Sequence, residues 1–107
     1  WPVLDDIFHT AGCHGYGEID VRAGMQMKEL AQKYPDKVFF GNLSNDLLKS
    51  GSEENVTLAT KTVLQDARNV KLVIGPSNVI LHDTPAENVL AMQEVVNNHN
   101  LSTMKEL

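Results

Sequence analysis

Two short apolar runs, each ending in glycine and small polar residues, dominate the hydrophobic pattern of this chain. They span Val38–Ser44 and Lys71–Asn78. Each run is followed by a segment whose apolar residues recur at helical spacing. Buried strands of a parallel sheet read as continuous apolar runs with polar residues at their carboxyl ends. The pattern therefore predicts an α/β protein in which parallel strands alternate with helices.

The same pattern divides the chain into elements. The predicted strands are Tyr16–Asp20, Lys37–Gly41 and Lys71–Gly75, and the predicted helical segments are Leu4–Ala11, Met25–Tyr34, Asp46–Leu48, Ser52–Ala67 and Thr84–Asn98. Short right-handed crossovers predict that the three strands are parallel and adjacent in chain order.

Capping signals fix the starts of the two longest predicted helices. Ser52 is expected to cap the first of them. In the second, we expect Thr84 to cap, Pro85 to fill the first helical position and Glu87 to complete a capping box. The last eight or so residues of the chain are polar, and we expect them to be frayed.

Three strands are too few for a closed barrel, which needs eight strands and about 250 residues. Trp1 and Pro2 lead directly into a helical pattern with no strand before it, so we interpret the chain as a fragment. An open sheet of this kind has two unpaired edges and an apolar face. We therefore expect that the isolated chain is not a stable monomer.

Composition narrows the class of protein further. The chain has 107 residues, enough for one domain, with 42% hydrophobic residues and 21% charged residues. A net charge of −5 disfavours nucleic acid or an anionic membrane as partner. The pattern predicts neither a membrane-spanning run nor a signal peptide within these residues. The single cysteine, Cys13, excludes an internal disulfide and is typical of a cytoplasmic protein.

Ligands of parallel α/β proteins bind at the carboxyl ends of the strands. The residues at these ends that we predict to bind substrate are Asp20, Arg22, Asn42, Ser44, Ser77 and Asn78. Four of them have a structural alternative: a salt link or helix cap for Asp20 and Arg22, and ordinary turn chemistry for Asn42 and Ser44.

A metal site is the other chemistry to weigh. His9, Cys13 and His14 cluster in sequence, but soft metal sites are usually completed by four ligands in a tight geometry. We interpret these three residues as a helix end and loop on the amino-terminal side of the strands, and we predict no metal in this chain.

Six short segments, in this order, resemble the uroporphyrinogen decarboxylase superfamily and cover nearly the whole chain. They are Gly15–Asp20, Ala23–Leu30, Phe40–Leu43, Leu47–Gly51, Ile74–Ser77 and Asp83–Val89. The resemblance implies a partial (β/α)₈ TIM barrel, with residues 1–107 forming about its last three β/α units at the carboxyl terminus. The implied partner is the missing amino-terminal half of the barrel or a second copy of the chain.

The resemblance also implies a function. The intact parent would be a cofactor-free decarboxylase that removes carboxyl groups from tetrapyrrole acetate side chains in porphyrin biosynthesis, whereas the 107-residue piece alone would be inactive. The alternative within the superfamily is a corrinoid-dependent methyltransferase, whose small-molecule substrate is a methyl donor. A third hypothesis, of another class, is a non-catalytic half barrel that needs a partner chain.

The loop after the last strand is where the sequence departs from the family. Alignment on the helix start at 84–88 places Asn78 where the family has a histidine. An amide can bind a carboxylate but cannot transfer a proton at neutral pH, so His82 is the candidate catalytic residue in this loop. The methyltransferases have a cysteine zinc ligand in the same loop, where this chain has Ser77 and Asn78.

Overall fold

The computed structural model describes residues 1–77 and 79–106, without the side chains of residues 18 and 101–106. Its strands are β1 (Gly15–Ile19), β2 (Val38–Gly41) and β3 (Lys71–Val73), and its α-helices are α1 (Met27–Lys33), α2 (Asn45–Ser50), α3 (Glu53–Asp66) and α4 (Ala86–Glu106). A π-helical segment (Asp6–Thr10) precedes β1, and a 3-10 turn (Val21–Ala23) follows it.

The three strands form one parallel sheet in the order β1-β2-β3. Tyr16, Phe39 and Leu72 are paired across it in register. Consecutive strands are joined through helices, as parallel pairing requires. The predicted fold class, an α/β protein with three adjacent parallel strands in an open sheet, is confirmed, and this arrangement is consistent with part of a TIM barrel.

Helices cover one face of this sheet. The core beneath them contains Phe8, Ile19, Leu30, Phe39 and Val56, each at most 1% exposed. The Phe8 ring packs against the rings of Tyr34 and Phe39, with centroids 4.7 and 6.1 Å away. The described chain measures 40 × 37 × 18 Å, which matches one sheet and one helical layer.

The opposite face of the sheet lacks such a cover within the described residues. Phe40 and Val73 are register partners on β2 and β3, and they are 47% and 53% exposed. A Cβ atom added to Gly17 of β1 would lie 3.8 Å from the Cβ atom of Phe40, so the same face continues from β2 onto β1. The sheet is therefore apolar on both faces but covered on one.

Serine caps start two of the helices. The Ser52 hydroxyl accepts a hydrogen bond from the Asn55 backbone N–H at 3.1 Å, which confirms the predicted start of α3. Glu53 and Glu54 lie in the first turn, where acidic side chains favour the positive end of the helix dipole. Ser44 caps α2 in the same way, with its hydroxyl 3.4 Å from the Leu47 nitrogen.

The predicted capping box of the last helix is wrong. α4 begins at Ala86, and the Asn88 backbone N–H donates to the Pro85 carbonyl oxygen at 3.1 Å. The Thr84 hydroxyl is buried without a hydrogen-bond partner among the described residues. Because no Gly or Pro follows Pro85, nothing in the sequence stops the helix, and it continues past the predicted end at Asn98 to Glu106.

Candidate functional site

Three loops follow the carboxyl ends of the strands and meet at one edge of the sheet. Two backbone hydrogen bonds join the second loop to the third: Leu43 N–H donates to the Gly75 carbonyl at 3.1 Å, and Ser77 N–H donates to the Leu43 carbonyl at 2.6 Å. Leu43 also pairs with Pro76 in an isolated parallel bridge. The loops thus extend the β2–β3 pairing beyond the strands.

The loop after β1 carries Asp20 and Arg22. The Asp20 carboxylate accepts a hydrogen bond from the Arg22 backbone N–H at 2.9 Å and so caps the 3-10 turn. The Arg22 guanidinium reaches across to Asp46 on α2, and both of these side chains are more than half exposed. Asp20 and Arg22 therefore both lie just beyond the carboxyl end of β1. There they make the helix cap and the salt link that the sequence offered as structural alternatives.

The turn after β2 depends on two consecutive residues with positive φ, Gly41 at 109° and Asn42 at 94°. A Cβ atom at Gly41 would lie 2.9 Å from the Pro76 carbonyl oxygen, so both the backbone angle and the space favour glycine. Asparagine tolerates positive φ better than most residues. The turn directs the Asn42 side chain back into the molecule.

Asn42 is 4% exposed, and its amide nitrogen donates to two backbone carbonyls. The acceptors are Met25, at 2.9 Å, and Ile19, at 3.4 Å. Both hydrogens of the amide are thereby used to join the turn after β2 to the last residue of β1 and to the loop that follows it. Ser44, two residues on, is half-buried and uses its hydroxyl to cap α2.

Ser77, in the third loop, is buried, at 5% exposure. Its hydroxyl donates to the Leu43 carbonyl at 3.1 Å, which is the acceptor its own backbone N–H also uses. Asn78, the predicted substrate-binding residue at the family's histidine position, lies outside the described residues.

His82, the candidate catalytic residue, is exposed in the same loop and makes no hydrogen bond or ion pair with the described residues. Its neighbour Asp83 forms an ion pair with Lys49 of α2, with Nζ and the carboxylate oxygen 3.1 Å apart. The structure therefore places His82 at an exposed position in the loop that follows β3.

Asn88 lies beside the candidate site and was not predicted from the sequence. It is 3% exposed, and its amide donates to the carbonyls of Leu48 at 2.8 Å and Gly51 at 2.9 Å, at the carboxyl end of α2. The available signal was its spacing, because Asn88, Met92 and Val96 recur every four residues and share one face of α4.

Two of the cavities lined by described residues adjoin these elements. Asn42 and Ser44 line a cavity of about 150 Å³ together with Gln26, Thr62 and Asp66. A cleft of about 560 Å³ lies between α3 and α4, and its described lining includes none of the predicted site residues. Apolar side chains, among them Met27, Leu47 and Val63, provide most of the surface of the smaller cavity, so the structure brings two of the predicted residues to one small, mainly apolar cavity.

The groups with shifted pKa values lie at the other end of the sheet. Tyr34, four residues before β2, donates a hydrogen bond to the Asp5 carboxylate. This bond is the main reason that the pKa of Asp5 lies below its ordinary 3.8 and that the pKa of Tyr34 rises from 10.0 to about 12. Among the described residues, no three His, Cys, Asp or Glu side chains are grouped to hold a metal ion.

The chain matches the model of a known protein family. A family model described as uroporphyrinogen decarboxylase (URO-D) matches residues 2–99 of the chain. No curated protein and no solved structure matches it. None of the helices in the described part of the chain has the length and apolarity that a membrane crossing requires.

Proposed function

Because this chain belongs to the uroporphyrinogen decarboxylase family, we propose that it forms the carboxyl-terminal part of a carboxy-lyase acting on the acetate side chains of a tetrapyrrole. Each turnover would break a carbon–carbon bond, release carbon dioxide and place a proton on the remaining carbon. The observation that carries the proposal is the family match over residues 2–99. The polar groups at the carboxyl edge of the sheet support it.

The chemistry of that edge suits a large, flat, acidic substrate. Arg22 is exposed there and can offer part of its fork of N–H donors to a substrate carboxylate while it contacts Asp46. Val79 and Ile80, in the loop after β3, are 52% and 49% exposed and provide apolar surface. We propose that Asp20, Ser44 and Ser77 border the substrate, and that Asn42 acts by holding two loops together.

The proton donor in this part of the enzyme would be His82, the exposed histidine of the third loop. We propose Asn78 as a neutral hydrogen-bond donor to a substrate carboxylate, on the sequence alignment alone. Loss of a general acid typically lowers turnover by about 10²- to 10⁴-fold. Loss of one neutral hydrogen bond weakens binding by about 2- to 13-fold.

The test assays the full-length protein that contains this chain with uroporphyrinogen and follows the stepwise loss of carboxyl groups by chromatography of the oxidised porphyrins. His82→Ala should lower turnover, and Asn78→Ala should raise KM. A wild-type protein that releases no carbon dioxide would exclude the decarboxylase proposal. Transfer of a methyl group to a corrinoid protein by that same preparation would support the methyltransferase instead.

We further propose that the 107-residue piece is inactive alone and depends on additional strands, from an amino-terminal half barrel or a second copy. The open face with Phe40 and Val73 supports this proposal. The same open face would suit the third hypothesis, a partner-dependent half barrel without catalysis. An activity assay separates this hypothesis from the enzyme fragment, because only the enzyme fragment gains activity when the rest of the barrel is supplied.

A further inference from the structure

The short helix α2 contacts the loops that follow all three strands. Its own loop, after β2, supplies the Ser44 cap at its amino end. Asp46 pairs with Arg22 from the loop after β1, and Lys49 pairs with Asp83 from the loop after β3. Leu48, 1% exposed, anchors the helix in the core. Six residues thus connect the whole carboxyl edge of the sheet.

The contacts of α2 differ in strength. Both ion pairs join side chains that are between 40% and 65% exposed, so each is weak and is screened by salt. The two hydrogen bonds from Asn88, one buried and one partly buried, satisfy carbonyls at the end of the helix, where no intrahelical donor is available. An unsatisfied buried carbonyl is costly, so Asn88 is the dominant attachment.

We propose that α2 is a clasp that sets the spacing of the three loops around the substrate, and that Asn88 is the positioning residue that holds the clasp from the first turn of α4. Asn88 is not among the described residues that line the cavity beside Asn42. It acts through α2 and the Ser44 loop. The effect of the clasp on substrate binding rests on the proposed function, whereas its effect on the spacing of the loops does not.

The first experiment measures amide hydrogen exchange in the full-length protein that contains this chain, because the isolated chain is expected to need a partner. Asn88→Asp keeps the size of the side chain but removes both donors, and Asn97→Asp changes an exposed asparagine of the same helix as a control. Loss of two hydrogen bonds should speed exchange of the Leu48 and Gly51 amides by about 5- to 150-fold. The Leu43 and Ser77 amides, which join neighbouring loops, should also exchange faster.

If Asn88→Asp fails to fold, Asp83→Asn loosens the clasp from the surface and should speed the same amides by up to about fivefold. Unchanged exchange at Leu43 and Ser77 in a folded variant with accelerated α2 amides would overturn the inference, because α2 would then move without the loops. Unchanged exchange of α2 itself would also overturn it.

The second experiment separates positioning from mere stability, in the full-length protein with uroporphyrinogen. Asn88→Asp should raise KM by about fivefold or more while kcat stays within about twofold, because the loops bind substrate less well in ground and transition states alike. Asn97→Asp should change neither constant. An unchanged KM would overturn the positioning role. Inactive wild-type protein would instead remove the proposed function, and loop exchange alone would then decide the inference.

Discussion

Phe39 and Phe40 are adjacent in the chain but lie on opposite faces of the sheet, so their surroundings show how the two faces differ. Phe39 is fully buried against the helices and contacts the ring of Phe8, whereas Phe40 on the opposite face is 47% exposed. Both faces carry large apolar side chains, as in strands that are covered on both sides. The sequence of β2 is therefore suited to two packed layers, of which the described chain supplies one.

The largest effect that tests this comparison is a matched pair of substitutions. Phe39→Ala should destabilise the chain by about 3–5 kcal/mol, because it removes a core ring and leaves a cavity. Phe40→Ala should cost about 1 kcal/mol or less, because half of that ring is already in contact with water. Urea unfolding followed by fluorescence of Trp1, which packs against the core, measures both. Equal losses would contradict the two-face description.

A smaller loss of stability is expected from substitution of Asn42, at the carboxyl edge of the sheet. Asn42→Ala should cost about 1–3 kcal/mol, because two buried carbonyls lose their donor and alanine must adopt a φ of 94°. Asn42→Gly removes the same hydrogen bonds but relieves the backbone, so it should be more stable than the alanine variant by about 1 kcal/mol. Thermal unfolding of the two variants compares them, and a less stable glycine variant would exclude backbone strain.

The open face should also determine how the isolated chain associates. Replacing both Phe40 and Val73 with serine should raise the apparent dissociation constant of self-association by about tenfold or more, since two apolar contacts are lost. Multi-angle light scattering over a concentration series measures this shift. A wild-type chain that is a monodisperse monomer with a cooperative thermal transition would refute the expectation that this face needs a partner.

The covered face holds a polar contact whose contribution depends on pH. The Tyr34 pKa is raised from 10.0 to about 12, so its stabilisation is complete below pH 10 and is lost as the pH rises toward 12. The Asp5 pKa is lowered, so its stabilisation is present above pH 3.8 and is lost on acidification through the lowered value. Denaturation midpoints of the wild type and Tyr34→Phe should therefore converge between pH 10 and 12.

Tyr16→Phe is the control for that series, because the Tyr16 hydroxyl makes no hydrogen bond with the described residues. Its midpoint should run parallel to that of the wild type over the same range. A Tyr34→Phe variant that declines as steeply as the wild type above pH 10 would show that the Asp5 contact is not the cause.

The fold could be predicted from the sequence because its signals are local. The apolar runs that became β2 and β3, the Ser52 cap and the crossover lengths each act within a few residues or one connection. The capping box at Thr84 failed because the helix began one residue later than the motif required. A capping motif sets the start of a helix only when the backbone at its first position, here Pro85, is part of the helix.

The roles of the candidate site residues depended on distant partners and could not be predicted in the same way. Asn42 and Ser77 have the side chains of ligand-binding residues, yet their donors contact carbonyls 17 to 34 residues away. Asn88 contacts carbonyls 37 and 40 residues away. A sequence shows that an amide is available, whereas only the tertiary structure shows which carbonyl it reaches.

The lengths of the two crossovers have a consequence for the order of folding. Gly15 of β1 pairs with Val38 over a shorter stretch of chain than the one that separates Val38 from Lys71 of β3. Closing the shorter loop costs less chain entropy, and non-local pairing is the slow step in sheets of this kind. We expect the β1–β2 pair to nucleate first and β3, only three residues long, to dock last and detach first.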